Sequence, residues 1–396
     1  DFYRRSINDR DGFWAEEAKR IDWQTQPQQI CDYANPPFAR WFVGGTTNLC
    51  HNAVDRHLKD RADQAALIAV STETNTEQVY TFAQLHAEVQ RMAAALLELG
   101  VQKGDRVLVY MPMIAEAAFA MLACARIGAI HSVVFGGFAA GSLASRIEDA
   151  SPTVIVSADA GSRGGKAIAY KPLLDEAISL SSHKPTAVLL VDRQLAAMEM
   201  VAGRDHSWGA LRQKHLSTVV PCVWLESTHP SYTLYTSGTT GKPKGAMLSH
   251  AAVATQASLL HEAWAVTDTD ALLHALPLHH LHGLGISLLT ALLAGARAKM
   301  LPRFDPRRVW DELAGVSVWM AVPTMYQKLF EAFDAADAAR ADADAALARI
   351  RGNLETFHDH IENPTARDAA ARGLEELDRA AALVQTILVT RAAEHK

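Results

Sequence analysis

Tyr235-Thr236-Ser237-Gly238-Thr239-Thr240-Gly241-Lys242-Pro243-Lys244-Gly245 follows directly on the strand-like Tyr232-Thr233-Leu234. These eleven residues hold three glycines, four Ser/Thr hydroxyls and two lysines. Glycines let successive backbone N–H groups turn toward one point, and the hydroxyls and lysines add donors and positive charge. That combination suits a polyphosphate. It is not the common ATPase loop, whose spacing would need glycine at 243, where Pro243 stands. An exposed turn has a similar composition, so residue types alone leave both readings open.

Around this run lies a chain of 396 residues, 49% apolar and 21% charged, which is enough to build a sizeable core. The net charge is −6 and no long basic run occurs, so nucleic acid is not expected as a partner. Cys31, Cys50, Cys124 and Cys222 are far apart in sequence and form no Cys-x-x-Cys pair, which predicts reduced thiols. The most apolar windows, near residues 284–296 and 118–135, are too short or carry Arg126 and His131, so no membrane span is expected. The start, Asp1-Phe2-Tyr3-Arg4-Arg5, has no initiator Met and no apolar signal core, and we expect a cytoplasmic chain clipped at its N-terminus.

Upstream of the run the pattern alternates strand and helix. Residues 67–70 and 79–80 suit a hairpin, and Thr81 is placed to cap a helix with apolar positions at Leu85, Val89, Met92, Ala93 and Leu96. Leu99-Gly100 closes that helix before a strand at 106–110; a second helix over 114–127 stops at Gly128 ahead of a strand at 129–135. Helices closed by glycine and feeding β-branched strands predict βαβ units and a mostly parallel sheet. Gly136-Gly137-Phe138 then falls at a strand's C-terminal end, where open α/β sheets bind ligands. Further strands are expected at 153–158 and 187–191. Arg163-Gly164-Gly165-Lys166 sets two cations around two glycines, either a small anion site or a solvated basic turn.

Downstream, His274, His279, His280 and His282 fall within nine residues. Zinc is disfavoured because no carboxylate or cysteine is near in sequence and the flanks are apolar. Past Leu329 the composition changes abruptly. Residues 334–348 are nearly all Ala, Asp and Arg, with high helical propensity and a thin apolar stripe. Residues 349–396 read as two helical stretches broken at Asn363-Pro364, the second with a packing seam at Leu374, Leu377, Ala381, Val384 and Leu388.

The run at 235–245 resembles, at every position, the phosphate-binding signature of the adenylate-forming enzymes, the group of acyl-CoA synthetases, luciferases and peptide-synthetase adenylation domains. Other stretches resemble particular branches. Gly12-Phe13-Trp14-Ala15-Glu16-Glu17-Ala18, Trp41-Phe42-Val43-Gly44-Gly45, Val133-Val134-Phe135-Gly136-Gly137-Phe138 and Arg163-Gly164-Gly165-Lys166 are similar to acetyl- and propionyl-CoA synthetases. Residues 246–330, including His274–Leu284 and Leu301-Pro302-Arg303-Phe304-Asp305-Pro306, resemble malonyl-CoA synthetase instead. The tail faintly resembles the dimerisation helices of sensor histidine kinases, without their phosphoacceptor box.

The resemblance implies an α/β fold, the large N-terminal domain of an acyl-CoA synthetase with mostly parallel sheets flanked by helices, incomplete and with an appended all-helical tail. Its expected divisions are an N-terminal extension (1–60), a truncated AMP-binding domain (61–334) and a tail of different origin (335–396). It implies a ligase that activates a short-chain carboxylate, propionate or acetate before malonate, with ATP, Mg2+ and CoA as cofactors. Thr236, Ser237, Gly238, Thr239, Thr240, Gly241, Lys242, Lys244 and Gly245 are the implied nucleotide-binding residues, and Arg163, Gly164, Gly165 and Lys166 the implied contacts to CoA phosphates. Lys244 and His280 are the implied catalytic residues, with His280 bordering the carboxylate and His282 placed for a second one; the metal ligands stay unassigned. The runs that the family sets beside adenine and ribose, and its lid lysine, do not occur in these residues. Two alternatives follow: a non-catalytic nucleotide-binding remnant, or a composite of two parents joined in the phosphate run. The composite reading predicts poor packing between residues 66–235 and 246–330, and the tail predicts a homodimer.

Overall fold

The computed structural model describes residues 2–134, 136–163, 166–236 and 244–334, with 350–352, 355 and 374 as further helical positions. Its centre is a seven-stranded sheet of strands Asp205–Ser207, Ala187–Val191, Val154–Ala158, Arg106–Tyr110, Ile130–Val134, Pro230–Thr236 and Lys244–Ser249, in that order. All neighbours run parallel except the last pair. Val107, Leu108, Val109 and Tyr110 of the middle strand are completely buried. Burial on both faces is why these strands read as unbroken apolar runs rather than alternating ones.

The helices follow from their caps. Thr81 and Gln84 exchange hydrogen bonds in a reciprocal capping box that starts helix Phe82–Glu98, whose Leu85, Val89, Met92 and Leu96 are all fully buried. Helix Ala115–Ile127 ends at Gly128, which takes the left-handed conformation at φ 76°. Both cover one face of the central sheet, and helices Ala140–Ala150 and Tyr170–Leu180 cover the other. A second sheet, Val318–Trp319, Ala271–His274, Arg297–Met300, Ala65–Ser71 and Thr76–Thr81 in order, is parallel apart from its terminal hairpin 65–81.

The expected poor packing across the phosphate run is corrected by this second sheet. Its strand Ala65–Ser71 lies parallel to Arg297–Met300, with Leu67 opposite Ala298 and Ala69 opposite Met300. One continuous core holds Leu67, Val107 and Tyr232 together with Val253, Leu272 and Leu292. Residues from either side of the run therefore share a sheet and a core rather than abutting as separate bodies.

The lead-in is fastened to this body. The Asn48 side-chain amide donates to the carbonyls of Ala125 and Val223, each at 2.8 Å, while Trp14 packs edge-on against Trp41 at 5.5 Å. Among the described residues no helix is long and apolar enough to cross a membrane. The expected tail helices and their dimer lie almost wholly outside the described residues, within which Ile350 is buried in the core beside the second sheet.

Candidate functional site

Both sheets open, at the C-terminal ends of their strands, into one cavity of about 990 Å³. Met111–Met113 follow strand 106–110, Gly136–Phe138 follow 130–134, and Gly161 and Ser162 lie beyond 154–158. From the second sheet come Thr72 and Glu73 after 65–71, Ala275–Leu278 after 271–274, and Pro302–Phe304 after 297–300. A side chain at a strand's C-terminal end is freed from the ladder yet fixed in place, which is why parallel sheets concentrate sites there.

Tyr170 supports the cavity's glycine walls. Its ring stacks on Tyr110 at 4.7 Å, and a Cβ added at Gly136 or Gly161 would fall 2.0 or 2.1 Å from its hydroxyl oxygen. Only a residue without a side chain lets these two backbone segments close on that hydroxyl. Glu73 is the one carboxylate among the described lining residues, and Arg193 holds it in an ion pair while also pairing with the buried Asp159. Glu73 is thus the one described wall carboxylate the expected Mg2+ could meet, and Arg193 engages its Oε2. The apolar walls and volume do fit a nucleotide with a short acyl group.

His279, His280 and His282 also line the cavity. They sit at the entry to a wide π-helical stretch, His282–Leu288, which the sequence reading did not foresee. Gly283 permits this entry, because a Cβ there would lie 2.2 Å from the Pro277 carbonyl oxygen. Burial, and then the neighbouring His280, lower the pKa of His279 to about 4 and lower that of His282. Both are neutral imidazoles at pH 7, able to donate and accept hydrogen bonds but not to offer a full charge. His274 lies behind them, buried, with Nδ1 3.2 Å from the Ser287 hydroxyl. Ligand atoms of these four histidines form no metal-sized cluster among the described residues.

The run at 235–245 stands where two strands meet. Pro230–Thr236 and Lys244–Ser249 form an antiparallel hairpin with Thr236 opposite Lys244 and Tyr235 opposite Gly245. The second strand, Lys244–Ser249, has no counterpart in the sequence reading. Ser237, Gly238, Thr239, Thr240, Gly241 and Lys242 lie outside the described residues. Lys244 and Gly245 are exposed at the hairpin's open end. The root is held by helix Ala140–Ala150: the Tyr235 hydroxyl donates to Asp149, and Arg146 lies over the Tyr235 ring.

The second basic run is also a hairpin, Ala160–Arg163 with Lys166–Ala169, in which Arg163 is opposite Lys166. Gly164 and Gly165 lie outside the described residues, and Lys166 is exposed. Its strands carry Gly161 and Ser162 into the cavity wall, so the basic tip and the cavity share one support. The structure brings together His280, His282 and Gly136–Phe138, which the sequence pointed to separately; Glu73 and Tyr170 were not singled out, and Phe304 stood only within a resemblance. The strand-end rule, applied also to the strand expected at 67–70, would have flagged Glu73.

Comparison with known proteins bears on this geometry. Residues 54–377 match the family described as AMP-binding enzyme, and residues 1–53 match the acetyl-coenzyme A synthetase N-terminus. The chain is 64% identical over 245 residues, 62% of its length, to the propionate–CoA ligase of Salmonella typhimurium strain LT2. It is 46% identical over 273 residues, 67% of its length, to the acetyl-coenzyme A synthetase of Streptomyces coelicolor. It spans about two fifths of the length of these curated relatives, 39% and 40% respectively. In structure it is similar to an acetoacetyl-CoA synthetase from Streptomyces lividans, with a TM-score of 0.73 at 25% identity over 83% of this chain and 51% of that one.

Proposed function

The chain belongs to the AMP-binding enzyme family, and on that premise we propose that it activates a short-chain carboxylate, propionate or acetate, with ATP and passes the acyl group to CoA. The observation that carries the reading is the single cavity into which both parallel sheets open, with the phosphate run rooted on a strand of the larger sheet. In this reaction the carboxylate attacks the α-phosphate of ATP, pyrophosphate leaves, and the CoA thiolate later displaces AMP. A carboxylate is already an anion at pH 7, so no side-chain nucleophile is needed; the protein aligns two anions and offsets charge on the leaving group.

In this reading Thr236, Ser237, Thr239, Thr240 and Lys244 hold the ATP phosphates with the N–H groups of Gly238, Gly241 and Gly245, and Lys242 adds charge beside them. Arg163, Gly164, Gly165 and Lys166 take the CoA phosphates, and His280 borders the acyl carboxylate. Neutral His279 and His282 and the surrounding apolar wall suit a short uncharged acyl chain. A malonate reading rests on the resemblance of residues 246–330 to malonyl-CoA synthetase and on His282, placed for a second carboxylate, and Arg303 also lines the cavity. Exchange of labelled pyrophosphate into ATP in the presence of acetate, propionate or malonate tests the proposal. Exchange dependent on propionate or acetate is expected; exchange driven best by malonate selects the second reading, and folded protein that binds ATP without exchange would be a binding remnant.

A further inference from the structure

Away from the cavity, two cysteines distant in sequence meet at one carboxylate. Cys50, in the short helix Leu49–Ala53, is completely buried; Cys222, just ahead of strand Leu225–Glu226, is half-buried. Their sulfurs lie 3.9 and 3.8 Å from the same Oδ2 of Asp55, and all three atoms lie within 4.8 Å of one another. Neighbouring backbone on both sides is fixed by Asn48, whose Oδ1 accepts from the Cys50 N–H at 2.8 Å and whose Nδ2 donates to the Val223 carbonyl. None of the three residues lines the cavity.

A cation site is the obvious reading of two thiols and a carboxylate, but a cation is already there. Arg126 is buried and engages both Asp55 oxygens, at 2.8 and 2.9 Å, with one guanidinium nitrogen 3.6 Å from the Cys50 sulfur. His86 Nε2 stands 3.3 Å from Asp55 and from Arg126. A metal would have to displace this guanidinium.

We propose that Cys50 and Cys222 form a redox pair that closes to a disulfide, tying the lead-in covalently to the body. With a low-molecular-weight disulfide as oxidant, the more accessible Cys222 thiolate attacks one of its sulfurs and releases one thiolate. Cys50 then attacks the Cys222 sulfur of the mixed disulfide and releases the second. Both released thiolates take up the protons the cysteines lost, so two protein thiols become one disulfide and the oxidant becomes two thiols. Hydrogen bonding with Cys50, then burial and the Cys50 and Asp55 charges, raise the Cys222 thiol above its ordinary range, so closure is slow at neutral pH and quickens as pH rises.

The test incubates the full chain with glutathione disulfide at pH about 8.5, blocks remaining thiols and maps the digest by mass spectrometry. A peptide pair joining Cys50 to Cys222 is expected, with a melting temperature higher by a few degrees that dithiothreitol reverses; Cys222→Ser should show neither, with Cys222→Ala as a second variant should the serine protein fail to fold. Both cysteines alkylated, or separately glutathionylated, in protein that still melts cooperatively would overturn the proposal. Stoichiometric zinc bound by the untreated chain and lost in Cys222→Ser would overturn it in favour of a metal site.

Discussion

The guanidinium of Arg146 lies 4.2 Å from the ring centroid of Tyr235, while the Tyr235 hydroxyl donates to Asp149 one turn further along the same helix. Tyr235 is the first residue of the run at 235–245, so helix Ala140–Ala150 grips strand Pro230–Thr236 next to its C-terminal end. Phe138, in the cavity wall, is also under Arg146, at 6.0 Å. Arg146→Ala should cost about 0.5–1 kcal/mol in stability, the range of a partly exposed cation–π contact. Urea denaturation with an unchanged slope checks this, and a larger loss of ATP affinity than of stability would assign Arg146 to positioning the loop.

On the proposed reading Lys244 and Lys166 serve different phosphates, those of ATP and of CoA, and can be tested apart. Lys244→Ala should weaken ATP binding by about 1–2 kcal/mol and leave CoA binding unchanged, and Lys166→Ala should do the reverse. Isothermal titration of each nucleotide into each variant checks both halves.

Gly136 and Gly161 should tolerate nothing larger. An added Cβ at either meets the Tyr170 hydroxyl at about 2 Å, so Gly136→Ala and Gly161→Ala should each cost about 1–3 kcal/mol by overpacking. Tyr170→Phe should restore only part of the loss, because the ring carbon Cζ stands at 2.7 and 2.5 Å from the two added atoms. Thermal melts of the single and double variants decide this.

The buried histidines set the pH response. Burial holds His57 and His279 at about 4, and His131, His250 and His274 at about 3. In the unfolded chain these groups take up protons below about 6.5. Between those values the unfolded state binds more protons, so stability rises with pH, by up to about 1.4 kcal/mol per pH unit for each histidine. The Asp55 carboxylate, drawn below its ordinary range against burial by bonds from His86 and Arg126, works in the same direction below about pH 4. Melting temperatures should fall on going from pH 7.5 to 5, and a flat profile there would show that these imidazoles are charged in the folded protein.

Much of the scaffold was legible because local signals and tertiary demands agree. Thr81 with Gln84 starts a helix and Gly128 ends one, and strands 106–110 and 187–191 are apolar because both their faces are covered. Strand Lys244–Ser249 was not legible: it is a sheet edge with exposed residues at 244–247, paired through its backbone, so its side chains carry little strand signal. The Glu73–Arg193 pair joins residues 120 apart, and the match of Tyr170 to two distant glycines exists only once the sheets are assembled. The wide turn at His282–Leu288 depends on Gly283 nestling against Pro277, a contact that no periodicity announces.

Reception of an acyl-adenylate by the cavity at the strand ends is tested, without requiring turnover, by titrating the propyl ester of AMP into the chain. Saturable binding tighter than that of AMP is expected, since the ester fills the nucleotide and acyl regions together. The variant Gly161→Ala, which crowds the wall, should weaken the ester more than AMP. Folded, cooperatively melting protein that binds neither the ester nor AMP would contradict it.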